Sequence, residues 1–249
     1  MSNKRTVEVT FSPVLYPYKL TGENFVVVIV DILRATTSIT AAFDNGVKEI
    51  IPVGSIEEAR KWKDKGYLVA SERDGKTLDF ADFGNSAFNF MTSQVKGKTI
   101  AYSTTNGTQA IEMANKNGEE VIIGSFNNLK AVTDWILSID KNVVVLCSGY
   151  KNKFNLEDSF YAGALANNLM ESGKYIADCD SSTVAIDMWL AGKENIEMYI
   201  NKAAHRERLR KRGQDDVLKY TFTIDNSSAV PILRKSDKRL YDASVNKQK

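Results

Sequence analysis

The amino-acid sequence predicts an α/β fold built on a mostly parallel β-sheet. Short apolar segments alternate with segments of helical periodicity, and this alternation is typical of βαβ units. The segment FVVVIV at 25–30 is apolar throughout, as expected of a strand that is buried on both faces. The chain has 249 residues, a length at which α/β proteins often form one unit, so we expect a single domain over residues 1–249.

Each element has its own signal in the sequence. TVEVTF alternates polar and apolar residues like a half-exposed strand, Asn45-Gly46 ends one helix, and Ser55 with Glu58 forms the capping pattern that begins the next. The predicted strands are 6–11, 25–30, 48–53, 67–70, 98–103, 120–125, 142–148 and 219–224. The predicted helices are 35–44, 55–66, 107–116, 127–138, 157–171, 182–202 and 203–212. An insert near 71–90 and a C-terminal region near 175–249 are interpreted as accessory elements.

Composition and motifs argue against several classes of protein. The 33 basic and 31 acidic residues give a net charge of +2, so neither nucleic acid nor a membrane surface is an expected partner. The basic run HRERLRKR is local and is interpreted as a solvated helix face. The longest apolar run is only as long as a strand, and the N-terminus has no apolar signal segment. Two cysteines without a CxxC motif are typical of a reducing compartment, so we expect a cytoplasmic protein.

Motifs of two large enzyme classes are missing. The sequence contains no GxGxxG, which argues against a nicotinamide or flavin enzyme, and no GxSxG nucleophile elbow. Haloacid-dehalogenase phosphatases carry a second aspartate two residues after the first, but Leu33 occupies that position after Asp31.

Polar residues gather where the predicted strands end. Ligands of parallel α/β sheets bind beyond the carboxyl ends of the strands. Four strand ends carry such clusters: Asp31 with Arg34, Thr36 and Thr37; Glu72 with Arg73; Thr104, Thr105, Asn106 and Gly107; and Ser148 with Glu157 and Asp158 shortly after. Purely structural interpretations stay open for each cluster, as helix caps, turns, a surface ion pair or acids of a first helical turn. His205 is the single histidine of the sequence.

Several blocks of sequence resemble the 2-phosphosulfolactate phosphatase family. They are DILRATTSI from residue 31, SERDG (71–75), FGNS (83–86), STTNGT (103–108), CSG (147–149), LEDSFYAG (156–163), His205 with Leu209 and Gly213, and VP (230–231). The resemblance implies a three-layer α/β/α fold with a mixed sheet. It also implies Mg²⁺-dependent hydrolysis of phosphosulfolactate to sulfolactate and phosphate, a step of coenzyme M biosynthesis. Ser71 departs from the pattern, since a glycine is expected before Glu-Arg.

The resemblance and the strand-end clusters together suggest roles for individual residues. We expect Mg²⁺ to be held by Asp31, Glu72, Asp158 and Glu157, since Mg²⁺ prefers oxygen ligands. Phosphate or substrate binding is expected from Arg34, Thr36, Thr37, Arg73, Asn85, Ser86, Thr104, Thr105, Asn106 and Gly107. Asp31, with His205 or Asp216 as proton donor, is the expected catalytic group.

Three questions are left open by the sequence. Attack by a metal-activated water and an aspartyl-phosphate intermediate on Asp31 are both compatible with it. A non-catalytic protein that binds a small phosphorylated or sulfonated acid would use the same loop and arginines. The partner in each case is a small phosphorylated organic acid, and homo-oligomerisation is left open.

Overall fold

The computed structural model describes residues 4–73, 75–116 and 119–245. Its strands are β1 (Arg5–Thr10), β2 (Phe25–Val30), β3 (Glu49–Pro52), β4 (Leu68–Arg73), β5 (Lys76–Thr77), β6 (Thr99–Ser103), β7 (Glu120–Gly124), β8 (Asn142–Cys147), β9 (Tyr175–Ala177), β10 (Pro231–Arg234) and β11 (Arg239–Asp242). Its helices are α1 (Ala35–Asp44), α2 (Ile56–Asp64), α3 (Gly107–Asn115), α4 (Leu129–Ser138), α5 (Leu156–Glu171), α6 (Asp180–Gly192), α7 (Ile196–Ile200), α8 (Ala204–Lys211) and α9 (Leu218–Thr221). Short 3-10 helices occupy Pro13–Tyr18, Ala87–Phe90, Ser93–Val95, Phe126–Asn128 and Lys193–Asn195.

The strands form one mixed sheet in the order β5-β4-β6-β3-β11-β10-β7-β2-β8-β1-β9. Strands β7, β2, β8, β1 and β9 form one parallel block, and β4, β6 and β3 form another. The hairpin β10–β11 joins the blocks through antiparallel pairs, Ile232 with Ile122 and Leu240 with Ile50. The two parallel blocks therefore run in opposite directions along the sheet.

The two blocks share one binding region although they run in opposite directions. Strands β2 and β6 are five steps apart in the sheet order, yet residues after β2, β4 and β6 line one pocket. A Cβ atom at Gly107, after β6, would lie 3.0 Å from Asp31 Oδ2, after β2. The loop that follows β6 therefore reaches the end of β2.

Helices cover both faces of the sheet, as the α/β prediction requires. In β2, Val26 and Val28 pack into a core that includes α4 and α5, whereas Val27 and Ile29 pack into a core that includes α1 and α3. All four side chains are fully buried, which explains why this strand is apolar throughout. The α/β fold class with a mostly parallel, mixed sheet is confirmed, and the arrangement is that of a three-layer α/β/α protein.

Two sequence predictions were wrong in the C-terminal part of the chain. Residues 219–224, predicted as a strand, contain helix α9 and a turn, because Asn127 Nδ2 donates hydrogen bonds to the carbonyls of Tyr220 (2.8 Å) and Thr223 (3.2 Å). The predicted helix 182–202 bends after Gly192, where the ring of Tyr199 occupies the space that a Cβ atom would need. Strands β9, β10 and β11 were not predicted. Within the described residues, no helix is both long and apolar enough to cross a membrane.

Candidate active site

A pocket opens where β2, β4 and β6 end, and helix α8 forms one of its sides. Its empty space, including the open mouth, is about 440 Å³. The lining residues are Asp31, Leu33, Arg34, Glu72, Gly75, Asn85, Thr104, Thr105, Asn106, Tyr150, His205, Leu209 and Arg212. The pocket thus brings together eight of the residues singled out from the sequence: Asp31, Arg34, Glu72, Asn85, Thr104, Thr105, Asn106 and His205.

Asp31 is fixed by the turn that joins β2 to α1. Its backbone N–H donates to Thr36 Oγ1 (3.2 Å), its carbonyl accepts from the N–H of Thr36 (2.9 Å), and its Oδ1 accepts from the N–H of Ala35 (3.3 Å). Asp31 Oδ2 accepts no hydrogen bond from the described residues. A Cβ atom at Gly107 would lie 3.0 Å from this oxygen, so the start of α3 approaches the carboxylate closely. One carboxylate oxygen therefore holds the turn, and the other is left for a ligand.

The carboxylate of Asp31 titrates unusually. Burial raises its pKa from 3.8 to about 6, because the charged form loses its hydration. The charge of His205 and the N–H of Ala35 oppose this rise, while the charges of Glu72 and Glu157 add to it. A cation bound in the pocket would relieve this cost, and strongly perturbed groups of this kind are common at functional sites.

Glu72 and Arg34 place opposite charges beside Asp31. Glu72 Oε2 accepts from the N–H of Gly75 (2.7 Å), and Oε1 accepts from Thr105 Oγ1 (3.2 Å). Arg34 is buried, and this burial lowers its pKa, whereas the charges of Glu72 and Asp31 favour its charged form. Among the described residues, no acceptor is hydrogen-bonded to the Arg34 guanidinium, so its donors are free for an anionic ligand.

The loop between β6 and α3 presents backbone N–H groups to the pocket. Thr104 and Thr108 bracket the loop, since each N–H donates to the other's Oγ1, at 3.4 and 3.3 Å. The N–H groups of Thr105, Asn106 and Gly107 donate to no group in the described part of the chain. Free N–H groups at a helix start, together with the helix dipole, form a favourable seat for phosphate.

His205 is held by an acid at the start of α5. Its Nδ1 lies 3.1 Å from Oε1 of Glu157, which is only 1% exposed. Because the carboxylate accepts, the proton lies on Nδ1, and Nε2 is left for the pocket. The ring also lies beside Tyr150, with centroids 5.8 Å apart. This pair resembles the acid–histidine arrangement of many general acid–base catalysts.

Comparison with known proteins identifies the family. A family model described as 2-phosphosulpholactate phosphatase matches residues 11–236. The chain belongs to this family. Relatives named probable 2-phosphosulfolactate phosphatase include a protein of Caldanaerobacter subterraneus subsp. tengcongensis, which is 34% identical over 84% of this chain and 87% of its own length. A protein of the same name from Thermotoga petrophila is 35% identical over 83% of this chain and 88% of its own length. A third protein of this name, from Carboxydothermus hydrogenoformans, is 36% identical over 87% of this chain and 90% of its own length.

Membership in the 2-phosphosulfolactate phosphatase family makes the protein a phosphoric monoester hydrolase. The predicted resemblance and the predicted enzyme class are thereby confirmed. The alternative of a purely binding protein is set aside.

Other residues singled out from the sequence do not line the phosphatase pocket but stabilise the turns and strands around it. Thr37 Oγ1 donates to the carbonyl of Ile32 (2.9 Å), and Thr36 holds the same turn. Arg73 donates to Ser103 Oγ (3.0 Å) and to the Glu72 carbonyl (2.7 Å), so it ties β4 to β6 and does not line the pocket. Ser86 caps the 3-10 helix at Ala87–Phe90. These contacts support the site without offering these side chains to a ligand.

Asp158 joins two strand ends beneath the pocket. Its Oδ1 accepts from the N–H of Ile32 (2.9 Å), and its Oδ2 accepts from the N–H of Gly149 (3.0 Å). Burial, with the charges of Glu157 and Asp31, raises its pKa well above the usual range. Both oxygens are therefore used to tie β2 to β8, and neither Asp158 nor Glu157 lines the pocket.

Asp216 lies on the surface rather than in the pocket. It is exposed, and its charge favours the charged form of Arg34. His205, not Asp216, is therefore the predicted proton donor that lines the pocket.

Five residues of the pocket lining were not predicted as site residues: Leu33, Gly75, Tyr150, Leu209 and Arg212. Leu209 and Arg212 lie four and seven positions after His205, so they share one helical face with it, and this spacing could have revealed them. The remaining basic residues of the run include Arg206 and Arg210, which pair with Glu197 and Glu207 on the outer side. The interpretation of HRERLRKR as a solvated face was correct for that side alone. Gly75 ends the SERDG block that the resemblance already included.

The residues present fit a Mg²⁺ ion. Within the described ranges, no three His, Cys, Asp or Glu side chains are grouped closely enough to form a full metal cage. Mg²⁺ usually needs only one or two carboxylates, with waters and substrate phosphate as the other ligands. Asp31 with its free Oδ2 and Glu72 are the two carboxylates of the pocket lining that meet this need.

Proposed function

We propose that this phosphatase hydrolyses 2-phosphosulfolactate to sulfolactate and phosphate and requires Mg²⁺. The names of the relatives support this substrate. The observation that carries the proposal is the Asp31 carboxylate, which is buried, is raised in pKa, and directs a free oxygen toward the start of α3. An acid in this position is costly unless a cation or a reacting phosphoryl group meets it.

The phosphoryl group binds at the β6–α3 loop. The N–H groups of Thr105, Asn106 and Gly107 donate hydrogen bonds to its oxygens, and the buried guanidinium of Arg34 offsets the charge of these oxygens. Both seats are formed by backbone or by a buried side chain, so they are ordered before the substrate arrives. Such preorganisation favours phosphoryl transfer, which depends mainly on positioning and charge neutralisation.

Asp31 and Glu72 would hold the Mg²⁺ ion. When bound, the ion neutralises phosphate charge and orients the reacting groups. The chain's own part is to hold both carboxylates at the pocket, and Gly75 and Thr105 fix Glu72 for this purpose.

His205 donates the proton to the leaving oxygen. The ester bond between phosphorus and oxygen breaks, and the alkoxide of sulfolactate takes the proton from Nε2 of His205. Glu157 positions the ring through its contact with Nδ1. Water supplies the oxygen that ends on phosphate, and the proton that this water releases returns to His205.

Two routes differ in what Asp31 does. In one route water attacks phosphorus directly; in the other Asp31 attacks first, and water hydrolyses the acyl phosphate. Borohydride added during turnover reduces an aspartyl phosphate to homoserine, which mass spectrometry detects at position 31. Homoserine there establishes the covalent route, and its absence under conditions that trap a control acyl phosphate establishes the direct one.

The test of the function is phosphate release by the purified wild-type chain. We expect release from 2-phosphosulfolactate with Mg²⁺, a rate reduced by at least a hundredfold with chelator, and slower release from phosphoglycolate and phosphoglycerate. Binding of these esters with no release in any divalent metal would refute the proposal. The role in coenzyme M biosynthesis, the cytoplasmic location and the state of oligomerisation stay predictions.

A further inference from the structure

The charged side chains of the pocket lining balance each other before any ligand binds. Two carboxylates, Asp31 and Glu72, face two guanidinium groups, Arg34 and Arg212. A phosphate ester with two further acid groups brings a charge of about −4, since the phosphate alone carries about −2. A divalent cation offsets about half of this charge, so the acid groups remote from phosphorus need a cation of their own.

Arg212 is available for this task, and Arg34 is less so. Arg34 is buried among the charges of Glu72, Asp31 and Asp216, which already favour its cationic form. Arg212 is exposed at the mouth and forms no ion pair with any residue that the structure describes. Its neighbours on the same basic run differ, because Arg206 pairs with Glu197 and Arg210 pairs with Glu207.

A glycine gives the Arg212 side chain its place at the mouth. Gly75 has a φ of +79°, and a Cβ atom there would lie 2.5 Å from Arg212 Nη1, so the guanidinium lies directly against the backbone of the loop. Gln214 Nε2 donates to the Gly75 carbonyl (2.6 Å), which holds the end of α8 to the same loop. The N–H of Gly75 in turn donates to Glu72 Oε2 (2.7 Å). Arg212 is therefore positioned relative to the carboxylates of the pocket through a short chain of contacts.

We propose that Arg212 binds the carboxylate or sulfonate of the substrate and so selects phosphate esters of small acids over neutral ones. The inference rests on the proposed function. A guanidinium donates two parallel hydrogen bonds to planar carboxylate or to two sulfonate oxygens. Leu209, one turn earlier on the same face, contributes an apolar wall between this subsite and His205.

The test compares three esters of secondary alcohols on Arg212→Gln. The esters are 2-phosphosulfolactate, 2-phospholactate without the sulfonate, and glycerol 2-phosphate without either acid. We expect the ratio of kcat/KM for phosphosulfolactate to that for glycerol 2-phosphate to fall by about tenfold to a hundredfold, as for the loss of a charge-assisted hydrogen bond. The matched control is Arg210→Gln on the same helix, for which the ratio stays within about twofold of wild type.

The two arms of the ester comparison identify the group that is bound. A fall in the preference for phosphosulfolactate over phospholactate assigns Arg212 to the sulfonate, and a fall in the preference for phospholactate over glycerol 2-phosphate assigns it to the carboxylate. A ratio unchanged in Arg212→Gln, or equal losses on all three esters, would overturn the inference while the activity of the wild type still supports the proposed function. If the wild type releases phosphate from none of the esters, the proposed function itself fails.

Gly75→Ala gives a second, independent test. The new methyl group would displace the flexible end of Arg212, whereas Gly66→Ala places a methyl group on a backbone with φ of +83° and no atom within 4 Å. Both variants place an alanine at a positive φ, so Gly66→Ala controls for the backbone strain. We expect the ester preference to fall by about tenfold in Gly75→Ala and to stay constant in Gly66→Ala. Equal preference in the two variants would contradict the role of Arg212.

Discussion

Asp31→Asn is expected to make the protein more stable while it removes activity. Burial raises the pKa of Asp31 from 3.8 to about 6, so ionisation costs the folded state up to about 3 kcal/mol at about 1.4 kcal/mol per pKa unit. Asparagine keeps an oxygen for the N–H of Ala35 and places its amide where Oδ2 has no partner among the described residues. In urea at pH 8 with chelator, we therefore expect the free energy of unfolding to rise by about 1–3 kcal/mol.

The pH dependence has a definite sign. A carboxyl whose pKa is raised on folding binds more protons in the folded than in the unfolded state between pH 3.8 and about 6, so its contribution to stability falls as pH rises through this window. The gain from Asp31→Asn should therefore shrink as pH is lowered from 8 to 4. The control is Asp140→Asn, where Arg5 holds the pKa of the carboxyl below its usual value, so no gain is expected. A variant at position 31 that is no more stable than wild type at pH 8, or a gain that is constant with pH, would refute the reasoning.

Further predictions concern the residues around Asp31. Glu157→Gln should lower kcat by about tenfold to a hundredfold with little change in KM, because His205 loses the carboxylate that positions its ring. Glu171→Gln, on the exposed end of the same helix, should leave kcat unchanged. Steady-state kinetics measure both variants, and equal kcat in Glu157→Gln and wild type would contradict the pairing. Asp158→Ala should lower the free energy of unfolding, measured in urea, by about 2 kcal/mol or more, because two buried N–H groups lose their acceptor. A loss below about 0.5 kcal/mol would show that Asp158 does not hold the ends of β2 and β8 together. Gly107→Ala should lower kcat/KM by at least tenfold, since its Cβ would lie 2.8 Å from Ala35 Cβ, and Gly22→Ala, with open space around it, is the control.

The central site could be predicted because its residues follow apolar strands. Asp31 and Thr104 come directly after the buried strands β2 and β6, and Glu72 lies near the carboxyl end of β4, so these positions assign all three to the ligand-binding edge. The opposite directions of the two parallel blocks could not be predicted, because the β10–β11 hairpin that joins them has no strong signal in the sequence. The site is assembled in spite of that reversal, because the loop after β6 reaches Asp31 at the end of β2.

Neighbouring residues of similar chemistry were harder to assign. Arg34 and Arg73 both lie at strand ends. Arg34 lines the pocket, whereas Arg73 ties β4 to β6. Which way a side chain points at a strand end depends on tertiary contacts, here with Ser103. Tertiary contacts also explain why KYTFTI was wrongly predicted as a strand. Its residues favour a strand, but a hydrogen bond from Asn127 to the Tyr220 carbonyl holds the segment in another conformation. Arg212 belongs to a basic run that was interpreted as a solvated helix face, and only its spacing from His205 indicated its place in the pocket lining.

The role of Asp31 is tested most directly by kcat/KM for 2-phosphosulfolactate at pH 7.5 and saturating Mg²⁺, compared between wild type and Asp31→Asn. We predict a loss of at least a thousandfold in a variant that is folded and more resistant to urea than wild type in chelator. Activity within tenfold of wild type in that folded variant would contradict the placement of Asp31 at the reacting phosphoryl group.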